Sequence, residues 1–165
     1  MKWLSREICG WKNLALAILF VTAAQYFYTA GMSDIFHFLG IKLSPVEGKE
    51  YLIYAFSFPF IILRIVFWEE VQYRLPVALL LELKLPHWII FPIIFSLQLY
   101  FGSLHGGMEH IFFQGAGGVA YCVLFLKCGG MQRRYAKALG SVTAAHFAWD
   151  MLIASICAYY GATTF

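Results

Sequence analysis

The chain has 165 residues, of which 61% are hydrophobic and only 13% are charged. Because soluble domains carry about a quarter charged residues, this composition excludes an ordinary soluble domain and indicates a single integral membrane domain spanning residues 1–165. The net charge of +3 is small, and the basic residues cluster in short loops, a pattern that sets membrane topology and argues against nucleic acid as a partner.

Five apolar stretches are candidates for membrane-spanning helices, which need about 20 residues each. They cover residues 14–32, 51–83, 88–105, 111–126 and 138–160. The first is longer than a signal-peptide core, and we expect it to be a retained anchor. The second would extend roughly 50 Å as one straight helix, so we expect a bend or break at Pro59 or Pro76.

The distribution of basic residues predicts the orientation of these spans. Lys127, Arg133, Arg134 and Lys137 form the strongest basic cluster and are expected in the cytoplasm. Alternating the spans from there places the N-terminus inside and the C-terminus outside. The sequence thus predicts an all-α polytopic bundle of about five spans. Residues 1–50 would form an N-terminal anchor span with an outer loop, and 51–165 a core with a long broken helix.

Glu69 and Glu70 lie side by side in the second apolar stretch, where ionisable residues are costly and point to function. Residues four apart share a helix face, so Glu70 is expected to pair with Arg74 and to be structural. Glu69 is rotated by about 100° from Glu70, shares a face with Tyr73, and has no counter-ion in its own helix. Such an unpaired carboxylate suits a general base or acid near neutral pH.

Two further polar groups interrupt later spans. His105 follows Phe101 by one helical turn, so the phenyl ring could fix the imidazole by packing. His146 and Asp150 are also four residues apart and should project toward one spot from the last helix. An imidazole and a carboxyl group that face together inside a membrane bundle are typical of a functional site.

These motifs are E-E-x-x-x-R at 69–74, F-x-x-x-H at 101–105 and H-x-x-x-N/D at 146–150. In this order on successive membrane segments they resemble the CAAX protease and bacteriocin-processing family, whose eukaryotic members are the type II CAAX prenyl endopeptidases. The resemblance covers about residues 67–156, and residues 1–50 carry no family signal.

The resemblance implies a glutamate-type intramembrane endopeptidase that needs no cofactor. By motif position, Glu69 with the help of His105 would activate the hydrolytic water, while His146 and Asp150 would hold the oxyanion. The Glu70–Arg74 pair and the aromatic residues Tyr73 and Phe101 would support the site.

Asp150 departs from the family pattern, whose best-studied members carry asparagine at this position. An amide is a ready hydrogen-bond donor, whereas a carboxyl group donates only when it is protonated. Asp150 is therefore expected either to be protonated or to orient His146.

Other functions stay open. Glu69, His105 and His146 also make a two-histidine, one-carboxylate set that suits catalytic zinc, although no H-E-x-x-H helix is present. A non-enzymatic membrane scaffold or immunity-type protein could keep the same polar core, and a proton-coupled carrier is a third reading. For a protease, the partners would be the bilayer and the terminal region of a membrane-associated protein or precursor peptide, in a prokaryotic plasma membrane. The sequence does not fix the oligomeric state.

Overall fold

The computed structural model describes residues 7–8, 10–41, 59–106 and 108–160, with side chains to residue 156. The described residues form five α-helices, one short 3-10 helix and no strand, which confirms the all-α prediction. The elements are α1 (Trp11–Phe38), α2 (Pro59–Glu82), α3 (His87–Ser103), α4 (His110–Lys127), the 3-10 helix Gly130–Gln132 and α5 (Tyr135–Tyr160).

Three of the described helices are long and apolar enough to cross a membrane: α1, α4 and α5 over Tyr135–Ile156. Helix α3 is apolar but has 17 residues. Helix α2 is long enough but carries charged residues along its middle, namely Arg64, Glu69, Glu70 and Arg74. Three helices are therefore able to span a membrane by length and composition, and the two remaining helices depart from a simple apolar span in length or in charge.

The predicted break at Pro76 does not occur, because α2 continues without interruption through this residue to Glu82. Pro59 is the first described residue of α2. Pro76 leaves the carbonyl of Gln72 without its usual partner, but Val77 and Ala78 immediately after it pack in the main core. This packing holds the helix together across the proline. Residues 51–58 of the predicted stretch lie outside the described part.

Helices α3 and α4 approach most closely at Gly102. A Cβ atom on Gly102 would lie 2.5 Å from the Gly115 nitrogen and 2.6 Å from the His110 carbonyl oxygen. Small residues at such a crossing let the helix backbones touch, which strengthens van der Waals packing within membranes. Helix α2 packs mainly on α5, and α1 lies across α4 and α5.

The basic residues gather at one end of the bundle. The Ile8 amide donates a hydrogen bond to the Lys127 carbonyl at 2.9 Å, and Glu7 pairs with Lys137 and Arg134. At the same end the Tyr135 hydroxyl donates to Glu82 at 2.6 Å. At the other end of α1, Phe36 packs on Phe112 and Phe113 at the beginning of α4. Helices that follow one another in the bundle are therefore antiparallel.

Candidate functional site

The centre of the site is a buried ion pair within α2. Arg74 Nε donates a hydrogen bond to Glu70 Oε2 at 2.7 Å, and each side chain is 3% exposed. A second guanidinium nitrogen, Nη1, donates to the side-chain oxygen of Gln98 on α3. The pairing predicted from the four-residue spacing is confirmed. Gln98 adds a neutral partner that ties α2 to α3.

Glu70 also binds the imidazole of α5. His146 Nδ1 lies 2.8 Å from Glu70 Oε1, and because this carboxylate is paired with Arg74 it acts as the acceptor, so Nδ1–H donates. The ring of Tyr121 on α4 stacks on the His146 ring with centroids 4.8 Å apart and an interplanar angle of 24°. Residues of two neighbouring helices, α2 and α4, therefore fix the position and tautomer of His146, as a buried carboxylate does for histidine in hydrolytic triads.

The other ring nitrogen of His146 faces two carboxyl groups. Nε2 lies 3.6 Å from Asp150 Oδ1 and 3.8 Å from Glu69 Oε2, both beyond hydrogen-bond distance. The side chains of Glu69 and Asp150 are 31% and 21% exposed, against 3% for Glu70. The accessible side of the site is thus the side where Glu69, Asp150 and Nε2 of His146 meet.

His105 lies at the margin of this cluster, in the turn after α3. Its Nδ1–H donates to the Phe101 carbonyl at 2.9 Å, and its ring meets the Phe101 ring edge-to-face with centroids 4.4 Å apart. Tyr73 packs on Phe101 in the same manner, also at 4.4 Å. The predicted packing of Phe101 on His105 is therefore present.

Tyr73, one turn from Glu69 on α2, packs on the same Phe101 ring that His105 contacts, so the imidazole lies near the cluster. Within the described residues no hydrogen bond or ion pair joins His105 to Glu69. The structure thus brings Glu69, His146 and Asp150 close together, whereas His105 lies beside them without a hydrogen bond to the cluster in the described part of the chain.

The carboxylates and imidazoles of the site are also the side chains that could ligate a metal ion. Among the residues that the structure describes, no three His, Cys, Asp or Glu side chains are grouped closely enough to hold a metal ion. Both histidines use Nδ1 for a protein partner, Glu70 for His146 and the Phe101 carbonyl for His105. Each histidine therefore has only Nε2 left for a ligand.

Sequence reasoning missed two residues of the site. Gln98 is a polar residue in the otherwise apolar α3 and is 1% exposed, so its polarity was a usable signal. Tyr121 is 2% exposed, but an aromatic residue in an apolar helix carries no signal that separates it from ordinary core.

The arrangement has definite chemical capability. The carboxylate of Glu69, the imidazole of His146 and the carboxyl group of Asp150 converge on one partly accessible spot. At 1.5 Å per residue, this spot lies about 17 Å along α2 and α5 from their basic ends. Such a set can move a proton to or from a small molecule bound between them. Against protein-family models, curated proteins and solved structures, the chain gave no match.

Proposed function

We propose that this protein is a glutamate-type intramembrane endopeptidase, which hydrolyses a peptide bond near the terminus of a membrane-associated protein or precursor peptide. The observation that carries the proposal is the convergence of Glu69, Asp150 and Nε2 of His146 on one accessible spot, with the histidine fixed from behind by Glu70. The resemblance to the CAAX protease and bacteriocin-processing family, based on three motifs, supports the same activity.

In the proposed mechanism Glu69 is the general base. Its carboxylate removes a proton from a bound water molecule, and the resulting hydroxide attacks the carbonyl carbon of the scissile bond. Glu69 then returns the proton to the departing amine. His105, at the margin of the cluster, would bind the same water through Nε2. The partial exposure of Glu69 supports its assignment as the base.

His146 and Asp150 are proposed to stabilise the oxyanion that forms on the scissile carbonyl. Because Nδ1–H is donated to Glu70, Nε2 needs a second proton to act as a donor, and the surrounding carboxylates would stabilise the resulting cation. Asp150 contributes a second donor when it is protonated. Donors held in place before the reaction are the largest single source of stabilisation in such hydrolyses.

Five crossings of a prokaryotic plasma membrane, with the N-terminus in the cytoplasm, form part of this proposal. The gathering of basic residues at one end of the antiparallel helices supports this orientation. Asp150 is one turn farther from that end than His146, so the site leans toward the outer face. A substrate would have to present an extended segment there, because backbone carbonyls within a helix are shielded.

The test compares protein termini in membranes from cells that carry the wild-type protein, Glu69→Gln or Glu82→Gln. Glu82 lies on the same helix, is exposed, and provides a matched loss of one carboxylate away from the site. We expect at least one new terminus with wild type and Glu82→Gln that is absent with Glu69→Gln. If no terminus differs, or if Glu69→Gln generates the same terminus, the endopeptidase proposal fails.

Two alternatives have distinct outcomes. A zinc protease that uses Glu69, His105 and His146 would contain metal by elemental analysis and lose activity with tight chelators, whereas the proposed enzyme would be insensitive to them. A non-enzymatic scaffold would retain its cellular effect with Glu69→Gln, and wild-type membranes would show no new terminus.

A further inference from the structure

We propose that Gln25 on α1 and Tyr121 on α4 form a positioning pair for His146, so that the first helix is part of the functional site. Residues 1–50 carry no motif of the site, and sequence analysis assigned α1 only an anchoring role. The effect of this pair on catalysis rests on the proposed function, but its positioning of His146 can be tested separately.

The first observation is how closely Gln25 contacts α4. A Cβ atom on Gly117 would lie 2.6 Å from Gln25 Nε2 and 3.2 Å from its Cδ. The Nε2 end of the Gln25 amide therefore lies against Gly117, in space that any other residue at position 117 would fill. Gln25 also continues the stripe of α1 that packs against the main core through Leu14, Ile18 and Val21.

The second observation is the pair of polar atoms at this contact. Gln25 lies against Gly117, and Tyr121 lies one helical turn farther along the same face of α4. Within the described residues, however, both Tyr121 Oη and Gln25 Oε1 are buried without a hydrogen-bond partner. One is a donor and the other an acceptor, and leaving both unpaired is costly in an apolar interior. A hydrogen bond from Tyr121 O–H to Gln25 Oε1, formed by reorienting the Gln25 amide, would satisfy both atoms.

The third observation connects this pair to the site. The Tyr121 ring stacks on the His146 ring with the ring centroids 4.8 Å apart. The same His146 side chain is hydrogen-bonded to Glu70. An aromatic face within about 6 Å stabilises a cationic ring, and the proposed oxyanion donor is the protonated form of His146. By holding the Tyr121 hydroxyl, Gln25 keeps the aromatic face parallel to the imidazole.

The test uses purified protein in micelles with isotopically labelled histidine rings. The His146 signals, assigned by their loss in His146→Gln, carry a ring-current shift from the stacked Tyr121, and Tyr121→Leu measures its full size. We expect Gln25→Leu to reduce this shift. Gly117→Ala should do the same, because its methyl group displaces the Gln25 amide while keeping every polar group. Gly31→Ala on α1, where a Cβ meets nothing within 4 Å, should leave the shift unchanged.

Two variants protect the test against misfolding. If Gln25→Leu and Gly117→Ala both fold and leave the His146 shift at its wild-type value, the positioning role is refuted. On a peptide that spans a cleavage site found in the terminus comparison, Gln25→Leu should lower kcat roughly 3- to 30-fold with KM unchanged. An altered shift without any cleavage by wild type would refute the protease proposal and leave the positioning pair standing.

Discussion

Removing the carboxylate of Glu70 should be among the most destabilising single changes in this protein. In Glu70→Gln the Arg74 guanidinium stays buried at 3% exposure with no negative partner, and breaking a buried pair on one side costs about 3–5 kcal/mol. For a chain of this size that loss corresponds to a fall in Tm of roughly 6–20 °C. Glu82→Gln on the same helix breaks an exposed pair with Arg133, which should cost at most about 1 kcal/mol.

The structure also provides the reporter for this measurement. Cys122 and Cys128 are free and buried, so in a Cys9→Ser/Cys157→Ser background a thiol-reactive dye labels the protein only as it unfolds on heating in detergent. The double variant Glu70→Gln/Arg74→Met should melt above Glu70→Gln, because the uncompensated charge is gone. Equal melting temperatures for Glu70→Gln and Glu82→Gln would show that the Glu70–Arg74 pair is not buried as described.

Three further changes test other parts of the account. Gly102→Ala should lower the free energy of unfolding by about 1–3 kcal/mol, because its methyl group meets backbone at 2.5 Å. Gly31→Ala should be neutral or stabilising, and thermal unfolding of the two variants in parallel checks the difference. The hydrogen bond from Lys137 lowers the pKa of Glu7 below its ordinary value of 4.5. Glu7→Gln should therefore be less stable than wild type at neutral pH, and this difference in stability should disappear as the pH falls below 4.5. A difference that persists at lower pH would contradict this assignment. Asp150→Asn should retain or increase cleavage if Asp150 is an oxyanion donor, and complete loss of cleavage would instead assign it a carboxylate-specific role.

The sequence predicted those parts of the site that lie within one helix. The four-residue spacing anticipated the Glu70–Arg74 pair, the proximity of His146 and Asp150, and the packing of Phe101 on His105. The first two follow from helix geometry alone, because residues four apart face the same direction whatever the helix packs against, and the third follows from the turn that continues α3 past Ser103 to His105.

Contacts between helices could not be predicted in the same way. The bond from His146 to Glu70, the stacking of Tyr121 and the bond from Arg74 to Gln98 depend on which helices are neighbours and how they are rotated. The continuity of α2 through Pro76 was missed for the same reason, since packing after the proline outweighs its local preference.

Hydrolysis itself is the most direct test of the central claim that Glu69 activates water beside His146. Purified protein in lipid bilayers would be incubated with a peptide spanning the identified cleavage site, in water enriched in heavy oxygen. Wild type should place one heavy oxygen atom in the new terminal carboxyl group, and Glu69→Gln should place none above background. Absence of cleavage by wild type, or equal incorporation by Glu69→Gln, would contradict the account.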